Sequence, residues 1–219
     1  MSVNDFLRSV LRYILPTSCL GCGDVSRQSI CTNCQTSISK YISVRRHTIQ
    51  SIDDVVTVFD YAGLIKKILH HSKFGGAKDA LTALAASSKW DILGAEFLNY
   101  DVVIPIPGSR DREQHRGFSI SHEIARSLLV GHPRLASKIR PWVNRRRLTR
   151  PLFGLSYSAR VREVHGAFEV GGGISSQSLS VVLVDDILTT GSTASAIAEM
   201  LRKNGVVRVG LLALARTEL

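Results

Sequence analysis

Apolar residues gather along the chain in short runs that end in glycine, proline or acid. Residues 55–61, 102–106, 181–184 and 206–216 each read as a strand. The run Val181, Val182, Leu183, Val184 has no polar alternation at all, which suits a strand covered on both faces, as in a parallel sheet. Between the strands the period becomes helical. Residues 63–74 predict a short helix stopped by Gly75 and Gly76, and residues 77–90 and 120–131 predict two more. Residues 155–170 predict a helix running into an edge strand. Residues 189–203 predict a turn feeding a helix, with Ser192 or Thr193 as N-cap and Ala194, Ile197, Ala198 and Leu201 recurring on one face. Strands that alternate with helices imply an α/β fold with a mainly parallel sheet and right-handed crossovers.

The polar stretches complete the outline. Residues 38–52 are polar and basic and read as a connector; residues 111–119 read as a polar loop. Residues 138–154 predict a short strand and a loop, and Gly171 to Gly173 a loop. At the start, Val3, Phe6, Leu7, Val10, Leu11 and Ile14 share one face of an amphipathic helix that packs on the main domain. Arg8 and Arg12 interrupt it and no small-residue cleavage site follows, so it does not read as a signal peptide.

Length changes this picture little. The 219 residues suffice for one α/β domain and a small appendage, divided here into residues 1–50 and 51–219. No apolar run reaches membrane-spanning length, so no membrane insertion is expected and the expected location is the cytoplasm. Charge changes it more. The formal net charge is +10, and residues 124–162 contain ten Lys and Arg without one Asp or Glu. A local excess of this kind points to a polyanionic partner; the alternative is a solvated basic face.

All four cysteines fall in SCLGCGDVSRQSICTNCQ, as Cys19, Cys22, Cys31 and Cys34. Two C-x-x-C turns can offer four thiolates to one structural Zn²⁺, and Gly21 and Gly23 relax the first turn. Disulfides are the competing reading, disfavoured in a reducing compartment.

The most informative stretch is VVLVDDILTTGSTASA, residues 181–196. A buried strand leads into two acids, a loop of small hydroxylated residues and a helix. Backbone N–H groups at the helix start favour an anion, and Gly191 permits close approach. Asp185 and Asp186 suit the two hydroxyls of a sugar. Phosphate on the loop and diol on the acids describe a ribose 5-phosphate.

This stretch resembles the phosphoribosyl diphosphate (PRPP) signature of type I phosphoribosyltransferases. That resemblance implies a PRPP site built from Asp185, Asp186, Ile187, Leu188, Thr189, Thr190, Gly191, Ser192 and Thr193, with Mg²⁺ accompanying the ligand. Nearly the whole chain is similar to the ComF family of bacterial proteins required for DNA uptake and transformation. The similarity runs through the paired C-x-x-C, FDYAGLIKKILHHSKFGG, IPIP, HRGF, SARVREVHGAF and the signature, in that order. It implies a phosphoribosyltransferase-type domain behind a zinc-finger module. It also places Lys73 beside the sugar-phosphate site, Pro105, Ile106 and Pro107 at the diphosphate, and Arg112 and Arg116 on a flexible closing loop. Ser119, Ile120, Leu152 and Glu163 depart from the family's pattern on the acceptor side. The first reading of function is single-stranded DNA binding during DNA uptake in natural transformation, with Arg140, Arg145, Arg146, Arg147 and Arg150 of the basic stretch neutralising phosphates and Trp142 or Phe153 stacking on bases. An active phosphoribosyltransferase of nucleotide salvage is the second reading. A third is an interaction module whose zinc finger docks on a competence helicase or channel component.

Overall fold

A computed structural model describes residues 17–87, 97, 99–130, 136–146, 166–172, 174 and 178–217. The expected helices over residues 3–14 and 155–165 lie outside the described residues, as do Arg147, Arg150 and Phe153. The short strands β1 (Thr17–Ser18) and β2 (Val25–Ser26) pair antiparallel around the first cysteine turn, and helix α1 (Thr32–Ile38), N-capped by Cys31, carries Cys34 of the second.

The main sheet has five strands: β3 (Ile42–Ile49), β4 (Ile52–Asp60), β5 (Val102–Pro105), β8 (Ser180–Leu188) and β9 (Arg208–Arg216). Their spatial order is β3-β4-β9-β8-β5. β4, β9, β8 and β5 run parallel; β3 is antiparallel to β4. The sheet is therefore mostly parallel, as the alternation of strands and helices predicted.

Helices cover both faces, which explains the missing polar alternation. Val182 and Val184 face a layer containing Ile65 and Leu69 of α2 (Gly63–Phe74), Leu81 and Leu84 of α3 (Lys78–Ser87), and Ile124 and Leu128 of α5 (Ile120–Leu128). Val181 and Leu183 face Ile197, Ala198 and Leu201 of α6 (Ser192–Lys203). All these side chains are buried. Fully burying each Leu, Ile or Val contributes roughly 1.5–3 kcal/mol, so the two layers dominate the stability of the fold. A two-stranded ribbon, β6 (Val143–Arg145) with β7 (Phe168–Val170), packs Val143 and Phe168 on the α6 side.

Three expectations need correction. The stretch read as a connector forms β3, hydrogen-bonded to β4 through a turn in which Ser51 takes φ 67°. The division at residues 50 and 51 thus falls inside a hairpin. Edge-strand position explains the polar, basic sequence, because much of β3 faces solvent. Second, the segment read as a loop contains helix α4 (Arg110–Arg116). Asp111 and Glu113 near its start and His115 and Arg116 at its end complement the helix dipole. Gly117, at φ 83°, ends it and donates its N–H to the Glu113 carbonyl at 2.7 Å. Third, the N-cap of α6 is Gly191 rather than Ser192 or Thr193. Its φ is 73°, and a Cβ there would lie 2.7 Å from Ile49 Cδ1 of β3. Both the left-handed backbone and the close approach of β3 require glycine.

Candidate functional site

The N-terminal turns bring the four cysteines together. Their Sγ atoms all lie within 4.8 Å of one another, and Cys22 and Cys31 are 3.7 Å apart. A tetrahedral Zn²⁺ with bonds of about 2.3 Å needs sulfurs about 3.8 Å apart, so the cluster fits that ion. All four are free thiols. Gly21 is required here too: a Cβ would stand 2.7 Å from Cys34 Sγ and 2.8 Å from Leu64 Cδ1. The N–H groups of Gly21 and Cys31 donate to Cys19 Sγ at 3.4 and 3.2 Å. Burial pushes the Cys19 thiol up, but backbone donors from Cys31, Cys22 and Gly21 outweigh it and bring it down to about 6. Burial and the neighbouring Cys31 and Cys19 push the Cys34 thiol up, and a bound metal would hold all four sulfurs as thiolates.

The second site lies at the C-terminal end of the parallel strands. A cleft of about 310 Å³ opens there, bounded by the end of α2, the loop after β5, α4, the start of α5, β6 and the end of β8. Asp185 and Asp186 form its floor. Lys73 Nζ lies 2.8 Å from Asp186 Oδ2. Ser121 donates its hydroxyl to Asp185 Oδ1 at 3.4 Å, and the Asp186 N–H donates to the same oxygen at 2.9 Å. Burial first, then the neighbouring Asp186 charge, push the Asp185 carboxyl up to about 7; Lys73 and Ser121 pull in the opposite direction. A carboxyl raised above its ordinary value makes the folded chain lose stability as pH climbs toward 7. A hydrogen-bond donor or cation seated on the pair offsets that loss.

Beside the acids lies the small-residue loop. A hollow of about 40 Å³ is lined by Thr189, Gly191, Ser192 and Thr193 along with Asp185, Ile187 and Leu188. Thr190 and Ser192 hydroxyls are 3.2 Å apart at the start of α6. Every signature residue from Asp185 to Thr193 thus belongs to one continuous strand-loop-helix unit. Lys73, Ile106, Pro107, Arg112 and Arg116 all line the cleft, while Pro105 ends β5 behind it. Arg116 is fixed: its guanidinium donates to the Lys73 carbonyl at 3.1 Å and to the Phe118 carbonyl at 3.2 Å. It therefore braces the end of α2 from α4, a helix rather than the expected flexible loop.

The arginines read as one basic face divide. Arg145 turns into the cleft, half-buried, with its guanidinium 5.2 Å from the centre of the Phe168 ring. Burial lowers its pKa, and Asp185 holds it up. Arg146 points outward and pairs with Glu169 at 2.9 Å. Arg140 is exposed and donates to the Ser137 and Ile139 carbonyls. Trp142 is half-buried against the α6-side core, so only part of its indole faces outward. Gly108 and Ser109, which continue the IPIPGSR loop, line the cleft too, as do residues absent from the sequence-based site: Phe74, Glu113 and Ser121. Ser121 was legible only through its place on the buried face of α5.

No protein-family profile matches the chain. The DNA utilization protein YhgH of Escherichia coli O6:H1 is 32% identical over 168 residues, 74% of this chain and 72% of that relative. The Competence protein ComFC of Bacillus subtilis is 24% identical over 204 residues, 90% of this chain and 77% of that relative. The chain belongs to the ComF family. A further relative, the Competence protein F of Haemophilus influenzae, is 32% identical over 123 residues, 53% of this ComF-family chain and 50% of that protein. No helix among the described residues is long and apolar enough to cross a membrane.

The cysteine geometry predicts one Zn²⁺ per chain in protein purified without chelator. Cys31→Ser should lose that metal and loosen residues 19–35, measured by metal analysis and by amide hydrogen exchange. Full metal content in Cys31→Ser would contradict the four-thiolate site.

Proposed function

We propose that this ComF-family protein acts in the handling of incoming DNA during natural transformation, with a cleft that binds the ribose 5-phosphate part of PRPP and an outer basic face that binds single-stranded DNA. The observation that carries the cleft reading is the pairing of Asp185 and Asp186 with a glycine-started helix one short loop away. The acids accept from the sugar's two hydroxyls. Thr189, Thr190, Ser192 and Thr193 offer short donors to the 5-phosphate, and Gly191 lets the backbone approach it. Arg112, Arg116 and Arg145 line the same cleft and would meet a diphosphate. Mg²⁺, bound with the ligand's phosphates, would supply charge neutralisation there. A structural Zn²⁺ would hold the N-terminal turns. The names of the relatives favour DNA utilization and competence over a salvage transferase.

The nucleic-acid reading rests on charge. Residues 124–162 carry ten basic residues and no acid, and Arg140 and Arg146 are exposed. Arg147 and Arg150 extend the same stretch. Such a surface attracts a phosphate backbone without reading its bases. A competence helicase or channel component remains a candidate protein partner on the zinc-module side.

Two experiments test the two halves. Asp185→Asn with Asp186→Asn removes the charged acceptors from the diol. PRPP affinity, measured by calorimetry with Mg²⁺, should fall more than about tenfold, since each charge-assisted hydrogen bond is worth roughly 1.5–3 kcal/mol. Equal binding by both proteins would place the ligand elsewhere. Arg146→Ala with Arg147→Ala should weaken single-stranded DNA binding alike on all sequences. The salt slope should flatten by about 1.4, at roughly 0.7 per phosphate contact, while PRPP binding stays unchanged. An unaltered slope would make the basic stretch a solvated face.

A further inference from the structure

Glu113 stands where the cleft should welcome negative charge. It lines the same cleft as Lys73, Arg112, Arg116 and Arg145 and is half-buried on α4. Its Oε1 accepts the backbone N–H of Gly108 at 3.1 Å. Gly108 belongs to the loop that leaves β5, so its N–H is among the donors available to an incoming anion. The contact is close: a Cβ on Gly108 would lie 2.8 Å from Glu113 Oε1. Arg116 and Arg145, two half-buried guanidinium groups, line the same cleft. One carboxylate thus occupies a backbone donor inside a cleft that three arginines line.

From this juxtaposition we infer that Glu113 determines the cleft's specificity, selecting ribose 5-phosphates without a diphosphate over those that carry one. The inference rests on the ribose-phosphate reading of Asp185 and Asp186 and adds to it. A diphosphate at the sugar's anomeric carbon needs the Gly108 N–H and the arginines, and it must displace or repel a like charge to reach them. A ribose 5-phosphate with a hydroxyl or a neutral base at that carbon meets no such opposition. Its phosphate sits on the far loop, at Thr189 to Thr193. A neutral Gln at position 113 keeps an oxygen for Gly108 but gives up the charge, and a neutral acceptor yields to an anion more readily.

The test is calorimetry of ribose 5-phosphate and of PRPP, each with and without Mg²⁺, on the wild-type chain and on Glu113→Gln. Wild type should bind ribose 5-phosphate at least as tightly as PRPP. Glu113→Gln should gain about tenfold for PRPP and change less than about twofold for ribose 5-phosphate, the loss of one opposed charge–charge contact. Two results overturn the inference alone, with ribose 5-phosphate still bound. One is unchanged PRPP affinity. The other is weaker PRPP binding confined to Mg²⁺-containing buffer, which would make Glu113 a partner of the metal. Failure of both ligands to bind either protein overturns the ribose-phosphate reading, and this inference falls with it.

Discussion

Two carboxylates side by side at the end of a buried strand repel each other and lose hydration, and three separate elements respond to that cost. Lys73 reaches Asp186 from the end of α2. Ser121 reaches Asp185 from α5. Arg145 turns inward from the β6–β7 ribbon and shares the cleft. None of these residues is near the others in sequence; the acid pair is where they meet. The cost is incompletely offset: burial and the neighbouring Asp186 charge still push the Asp185 carboxyl above the usual carboxylate range. A pair left in this condition favours a ligand that brings hydroxyl donors, which is the chemical sense of a sugar-binding site.

The same pair links the cleft to the zinc-type module. α2 begins against the first cysteine turn, where Leu64 crowds Gly21 and Lys67 donates to the Gly21 carbonyl at 3.4 Å. It ends at Lys73. Cys19, Ile30 and Ile38 share one buried cluster with Phe59, Ile65 and Leu69. The module is therefore seated on the α2 side of the main core, and the helix fixed at one end by the cysteine turns presents the cleft's lysine at the other.

Legibility in the sequence followed burial. β4, β5, β8 and β9 were readable because strands covered on both faces leave long apolar runs. The signature unit was readable because acids, glycine and hydroxyls have fixed chemical uses at a strand-to-helix turn. β3 was not, since an edge strand keeps much of its surface in water and tolerates Arg45 and Arg46. α4 was missed for a related reason: none of its residues is buried, so no apolar period marks it. Its signals were acids before bases and a terminal glycine. The three consecutive arginines at 145–147 looked like one patch. A strand sends neighbours to opposite faces, so Arg145 and Arg146 serve different surfaces. Glu113 had no signal beyond its place in a polar stretch, because its meaning depends on a fold-back to Gly108.

The acid pair is the centre of this account, and a single missing oxygen probes it most directly. Equilibrium binding of ribose 5-phosphate should be compared with that of 2-deoxyribose 5-phosphate on the wild-type protein. If Asp185 and Asp186 hold both sugar hydroxyls, the deoxy sugar should bind at least about tenfold more weakly, the loss of one charge-assisted hydrogen bond. Equal affinity for the two sugars would show that the carboxylates do not read the diol.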